Sequence, residues 1–234
     1  LRSFKKEKPR QEEGWLEMNA ITADKKATRK RRPITRESKK EKTKAAIILA
    51  ALELFERRGF EKTTVDEIAA AAEVSTRTFY RYFPTKDHVM FPYHHEYIAE
   101  FRSLLQNHHA KEPPLAIIRG ALRSMAELYL AGRYEHLRFQ RIISSSPALV
   151  ARSVPFDAEW ETAIADAWRN GRRADAKAKQ KAKLIAGAVM GAINAVMSMW
   201  YAADCPLDLV ARAESALELL ERGIGNDLRK TPEE

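Results

Sequence analysis

Through most of this chain apolar residues recur at steps of three and four, and no strand-length stretch alternates apolar with polar. Ala45, Ile48, Leu52 and Phe55 fall on one face of a helix. Val65, Ile68, Ala69 and Ala72 make a second such face. Near the end, Val210, Ala213, Leu217, Leu220 and Ile224 form a seam with coiled-coil-like spacing. Dipeptides that close β-hairpins are missing. The chain is therefore expected to be all-α, with about nine helices.

Local punctuation predicts where those helices start and stop. The first runs from Ser38 to Arg58, stopped by Gly59 as a C-terminal cap. The second opens at Thr64, with Glu67 three residues on as a capping box. Ser75 caps the third, which ends before Pro84. A fourth is expected from Thr85 to about Asn107, kinked or broken at Pro92. Helices over 115–130 and 135–143 follow, and Pro147 restarts the chain. Pro155 and Phe156 are expected to interrupt it again before a helix over 158–170. A loop at Gly171–Ala174 leads to a helix over 175–201, Cys205 and Pro206 end it, and the last helix spans 208–224. Residues 1–37 show no period and carry Pro9 and Pro33, so they are expected to be disordered.

The net charge of +9 is confined to one end. Residues 1–44 hold 16 Lys+Arg and 7 Asp+Glu, whereas residues 45–234 hold 25 of each sign. A basic arm beside a neutral domain is an electrostatic handle for nucleic acid, and equally a solvated tail; the arm alone does not decide. The single cysteine, Cys205, excludes an internal disulfide and a thiolate metal cluster. No apolar run of about 18 residues is read, so no membrane span is expected, and there is no secretory h-region. The first methionine is Met18; residues 1–17 are expected to precede the native start or follow a non-AUG one, and no function is placed there.

The segment Val74–Lys86, VSTRTFYRYFPTK, carries the chemistry. On a helical wheel Phe79 and Phe83 share one side, while Arg77 and Arg81, four apart, point the opposite way with Tyr80 beside them. The rings anchor the helix; the arginines are presented outward. A helix of this kind fits the major groove of DNA, where Arg makes bidentate bonds to guanine O6 and N7. With the preceding helix and the turn Glu73–Ser75 it reads as a helix-turn-helix. Lys86, beside the next helix N-terminus, suits a phosphate, and Thr63 and Thr64 offer hydroxyls on the other side. The competing reading is an ordinary amphipathic helix with a solvated basic face.

The pieces AALELFERRGFEKTTVDEIAAAAEVS and TRTFYRYFPTK resemble the DNA-binding domain of the TetR family of bacterial transcriptional regulators. The resemblance implies an N-terminal helix-turn-helix domain over 38–86, after a basic arm over 1–37, and a larger effector-binding and dimerisation domain over 87–234. It implies a homodimer, paired through the last two helices, that reads a palindromic operator, usually as a repressor. Thr76, Arg77, Tyr80 and Arg81 correspond to groove-facing residues of the family, and Thr64, Tyr82 and Lys86 to phosphate-contacting ones. Glu73 stands where the family turn usually has Gly, at a cost of roughly 1 kcal/mol in a left-handed backbone. The family also implies residence in the bacterial cytoplasm, on the nucleoid, with no cofactor and no catalysis.

Within 87–234, the small residues Ala186, Gly187, Ala188, Gly191, Ala192 and Ala195 permit close helix approach, in a dimer interface or in the subunit's own core. Candidates for a pocket wall are Phe101, Met125, Tyr129, Phe139, Trp160, Trp168, Met190 and Met197. Similarity to an actinobacterial branch of the family points to an acyl-CoA-like or other lipophilic effector. His88, His94, His95, His108 and His109 are expected at the surface or in caps, since adjacent histidines diverge by about 100° on a helix. No nucleophile–base pair, metal-ligand motif or phosphate-binding glycine loop supports an enzyme. A transcriptional activator or co-regulator of the same fold without effector response stays open beside the repressor.

Overall fold

The computed structural model describes residues 36–106, 112–169 and 175–223. The order is α1 (Arg36–Arg58), α2 (Val65–Ala71), α3 (Thr76–Tyr82), a single 3-10 turn (Asp87–Met90), α4 (His94–Gln106), α5 (Pro114–Ala131), α6 (Arg133–Ser145), α7 (Pro147–Arg169), α8 (Ala176–Ala202) and α9 (Leu209–Arg222). No strand occurs among the described residues. The basic arm up to residue 35, His108, His109, the Gly171–Ala174 loop and Ile224 lie outside them.

The caps fall where local chemistry puts them. Gly59 adopts φ +82° and its N–H donates to the Phe55 carbonyl at 2.8 Å. Thr64 and Glu67 close the capping box on α2, and Ser75 accepts from the Thr78 amide at the start of α3. Glu73 has φ +56°, the left-handed conformation that glycine adopts without penalty.

Beside a smaller buried cluster of Leu137, Val196, Trp200 and Leu209, two cores divide the work. The first gathers Ile47, Ile48 and Leu52 of α1, Ile68 of α2, and Phe79 and Phe83 around α3. Phe139 and Ile142 of α6 and Leu149 of α7 belong to that same cluster. The reading head is thus packed directly on the larger domain. The second core lies among α4, α5, α7, α8 and α9, with Phe101, Ile118, Ile164, Val189 and Leu217 inside it.

Three expectations are corrected. First, α7 runs unbroken through Pro155. The proline withholds one donor from the Ala151 carbonyl, and both residues are exposed, so solvent can serve that carbonyl. Secondly, the fourth α-helix begins at His94 rather than at Thr85: residues 87–90 form the 3-10 turn, and of the two outcomes left open at Pro92, kink or break, the break is the one that occurs. Thirdly, α8 is long and apolar enough to cross a membrane, with a mean hydropathy of 1.5 over its most apolar window. Residues 184–201 of it hold no charged side chain. Here it is a bundle helix. Ala186, Val189, Val196 and Trp200 face the protein, while Leu184, Ala188, Gly191, Ala195 and Met199 face outward. The small-residue set therefore splits: Ala186 is core, and the outward stripe is Ala188, Gly191 and Ala195.

Candidate nucleic-acid interface and ligand cavity

The interface begins with the buttress under α3. Phe79 is fully buried, Phe83 nearly so, and their ring centroids lie 5.9 Å apart. A buried Phe of this kind contributes about 1.5–3 kcal/mol through burial alone. With that side fixed, Arg77, Tyr80 and Arg81 are exposed on the other. The Arg81 guanidinium lies 5.3 Å from the Tyr82 ring centroid, and no ion pair of Arg77 or Arg81 occurs among the described residues.

The neighbouring polar groups are more committed than their positions suggest. Thr76 donates its hydroxyl to Asp66 at 2.8 Å, tying the start of α3 to α2. Thr64 is exposed, but its hydroxyl is engaged with Glu67 in the cap. Thr63 is buried, and its hydroxyl donates to the Gly59 carbonyl at 2.9 Å, which removes it as a phosphate donor. The Lys86 ammonium turns inward to the α1–α2 loop. It donates to the Phe60 and Thr63 carbonyls, each at 2.8 Å, and sits 4.2 Å from the Phe60 ring centroid. Partial burial pushes its pKa down. The open cation expected from the sequence is therefore a clamp with one of its three protons left to give.

A cavity of about 940 Å³ lies behind the head. Its walls come from the segment around Pro92, from α4 to α8, and from the inner face of α6. Tyr129, Phe139, Trp160 and Met197 line it, as the sequence suggested. Phe101, Met125 and Met190 do not; they are buried in the second core, where Phe101 packs on Trp160 at 4.7 Å. Trp168 packs against that same core. His94 is not at the surface: its side chain is 9% exposed, stacked on Phe156 at 3.9 Å and 3.4 Å from Glu159. Burial outweighs that carboxylate and lowers its pKa.

Sequence reasoning passed over His136 and Tyr97. His136 stacks on Tyr129 at 4.2 Å and 8°, and its Nε2 is 3.5 Å from the Tyr97 hydroxyl. Burial pushes its pKa down to about 4 and raises that of Tyr129 to about 12. The missed signal is the step from His136 to Phe139 to Ile143 along one side of α6.

Cavity and head share a wall held by polar contacts. Arg138 makes a bidentate bridge to Glu56 of α1 at 2.8 and 2.9 Å. Ser146 donates to Glu61 at 2.9 Å. Arg152 reaches Asp87 of the 3-10 turn at 3.0 Å, and Lys44 reaches Glu96 at 3.3 Å. No group of three metal-ligating side chains occurs among the described residues.

A buttressed helix-turn-helix carrying outward arginines, set on a helical body with a half-open cavity, defines a DNA-binding transcriptional regulator. The chain belongs to the TetR family of bacterial regulatory proteins, which residues 47–91 match. Residues 112–225 match the MftR C-terminal domain. The transcriptional regulator TcmR of Streptomyces glaucescens is 32% identical over 207 residues, covering 85% of this chain and 91% of its own. Among solved structures, the transcriptional repressor FadR of Thermus thermophilus, in complex with lauroyl-CoA, is similar with a TM-score of 0.50 and 25% identity, over 82% of this chain and 98% of that one. NalD of Pseudomonas aeruginosa, secondary repressor of a multidrug efflux pump, shares the fold with a TM-score of 0.57 at 20% identity, over 78% of this chain and 96% of that one.

Proposed function

We propose that this regulator is a homodimeric repressor that leaves a palindromic operator when a small lipophilic effector fills the cavity. The observation that carries the reading is the exposed Arg77–Arg81 pair on a helix fixed by Phe79 and Phe83. Arg77, Arg81, Tyr80 and Thr76 are assigned to base edges. Tyr82 and the remaining proton of Lys86 are assigned to phosphates, and Thr64 joins them when its hydroxyl turns from Glu67 to the DNA.

Dimerisation is supported by the outward face of α8. Leu184, Ala188, Gly191, Ala195 and Met199 recur there at steps of four and three, and Leu184 and Met199 are 68% and 54% exposed. Small residues at the centre let two such helices approach closely. Two reading heads must sit about 34–36 Å apart to enter successive major grooves. The break at Pro92 joins the head to the cavity and lines it, and is the natural hinge for changing that distance. The basic arm is assigned to additional phosphate contacts beside the operator.

Fluorescence anisotropy on labelled DNA flanking the protein's own gene, with unlabelled competitor, tests the reading. A two-fold symmetric site bound by a dimer in preference to competitor is the expected result. Equal binding to both DNAs would refute it.

A further inference from the structure

We infer that Asp66, a residue of α2 outside the set of base readers, fixes the polarity of Thr76, so that the start of α3 selects an exocyclic amino group, adenine N6 or cytosine N4, on the major-groove edge. This rests on Thr76 being a base reader.

A free threonine hydroxyl carries one proton and two lone pairs and rotates to suit its partner. It can therefore meet a donor or an acceptor on a base, and by itself it specifies little. At Thr76 the rotation is spoken for. Its hydroxyl donates to Asp66 Oδ1 at 2.8 Å. A carboxylate offers acceptors only, and a bond to it is roughly twice as strong as one between neutral groups. The proton is thus committed, and Thr76 Oγ1 keeps lone pairs alone for anything else it meets.

Both ends of the contact are placed by structure that does not depend on it. Asp66 is the second residue of α2, whose start is closed by the Thr64–Glu67 capping box. Thr76 opens α3, which is capped by Ser75 and anchored by the buried Phe79. The turn between them is itself tied down: the Glu73 amide donates to the Ala70 carbonyl at 3.1 Å, and the Val74 amide to Ala69 at 2.9 Å. Asp66 is exposed and Thr76 half-buried, so the carboxylate adds acceptor character at the surface beside the hydroxyl. Arg77, next along α3, is a donor only. The reading helix therefore begins with an acceptor and continues with donors.

On the major-groove edge adenine N6 and cytosine N4 donate, whereas guanine O6 and N7 and thymine O4 accept. A base acceptor brought against Thr76 Oγ1 loses its water and gains no bond. Guanine and thymine are accordingly rejected there, and the discrimination belongs to Asp66 as much as to Thr76. Asp66 is a positioning residue: it acts on the base through the hydroxyl it orients.

The test uses the full chain and a random double-stranded DNA library. Bound duplexes are selected and sequenced, and singly substituted versions of the selected site are titrated by fluorescence anisotropy. Thr76→Val removes the hydroxyl and keeps the shape. It should lower the preference for adenine or cytosine about tenfold at one position of each half-site, which locates the base. Thr76→Ser keeps the hydroxyl and should keep the preference. Asp66→Ala frees the threonine proton, and at that same position all four bases should then bind within about threefold of one another. A merely structural Asp66 would instead weaken every sequence alike or lower only the melting temperature. The inference is overturned if the unsubstituted chain prefers guanine or thymine at the position marked by Thr76→Val. It is equally overturned if Asp66→Ala leaves the preference unchanged, or if Thr76→Val does, since Thr76 would then read a thymine methyl or nothing. Absence of any sequence preference in the unsubstituted chain is a different result: it refutes the base-reading assignment itself, and this inference with it.

Discussion

Replacing Lys86 by Met separates two roles that one ammonium plays at the edge of the reading head. Met keeps the length of the side chain and much of its packing against Phe60, but donates nothing. In the native protein the ammonium makes two 2.8 Å bonds, to the Phe60 and Thr63 carbonyls, and sits 4.2 Å from the Phe60 ring centroid. Charge-assisted hydrogen bonds contribute about 1.5–3 kcal/mol each, and the ring contact about 0.5–1 kcal/mol. Lys86 is only partly buried, so water can recover part of both bonds. The expected loss is therefore about 2–3 kcal/mol, below the roughly 3.5–7 kcal/mol that the three contacts would sum to if fully buried. For a chain of this size that lowers the melting temperature by roughly 5–10 °C. The third proton adds a separate expectation for DNA. If it meets a phosphate, the slope of log affinity against log salt becomes shallower by about 0.9 for each phosphate that is no longer neutralised, counted per half-site. Differential scanning fluorimetry gives the first quantity, and anisotropy titrations between low and moderate salt give the second. An unchanged melting temperature would refute the clamp. An unchanged salt slope would remove Lys86 from the phosphate-binding set.

Three further outcomes follow from named contacts. Arg77→Ala should cost about 1–3 kcal/mol on the operator and relax sequence choice at one base pair per half-site, measured with a panel of singly substituted operators; affinity for non-specific DNA should fall much less. His136 has a folded pKa of about 4, below its ordinary value, so its contribution is fully present above pH 6.5 and is lost as pH falls from there toward 4; the loss is at most about 3 kcal/mol, and His136→Gln should flatten that part of a urea-denaturation profile. Arg138→Ala breaks the bidentate bridge to Glu56 at a stability cost of about 1 kcal/mol, because both side chains are partly exposed, and should raise the effector concentration or change the amplitude needed for operator release.

Head and cavity differ in how far the sequence alone reveals them, and the difference is physical. Capping is local chemistry, so Thr64 with Glu67, Ser75 and Gly59 mark helix ends from spacing alone. The wheel that set Phe79 and Phe83 against Arg77 and Arg81 holds for the same reason: a helix of known ends has a known face. Proline is less decisive. Before Pro92 the chain makes only a single 3-10 turn and α-helix begins at His94, whereas at Pro155 only one solvent-side hydrogen bond is lost and the helix carries on. Lys86 was legible as a cation but not as a clamp, because the Phe60 and Thr63 carbonyls converge on it from more than 20 residues away. The cavity was half legible. Phe101 and Tyr129 look alike on their helices, yet Phe101 is packed away in the second core while Tyr129 borders open space. Whether an inward face meets a neighbour or a gap depends on how whole helices dock, which no periodicity encodes.

If the proposed effector release holds, the shared wall limits how it can work. To take an operator-competent population from 99:1 to 1:99, an effector must favour the released form by about 5.5 kcal/mol. The Arg138–Glu56 bridge is partly exposed and contributes about 1 kcal/mol, and Ser146–Glu61 no more. Neither contact, nor their sum, supplies the required difference. The larger reservoir is apolar: Phe139, Ile142 and Leu149 stand in the same buried cluster as Ile48, Leu52 and Phe79. Phe139 also borders the cavity, so a ligand ring pressed on α6 moves a side chain that packs beneath the head. Close-packed cores do not deform continuously, and a small displacement there is resolved by repacking into a second arrangement. On the proposed reading, the polar bridges set the register of the head on α6 and the buried rings carry the energy. Phe139→Leu, which keeps the apolar contact but removes the ring, should accordingly weaken the ligand response more than Arg138→Ala does, with operator affinity in the absence of ligand changed by less than about tenfold; the reverse order in anisotropy release curves would place the coupling in the salt bridge instead.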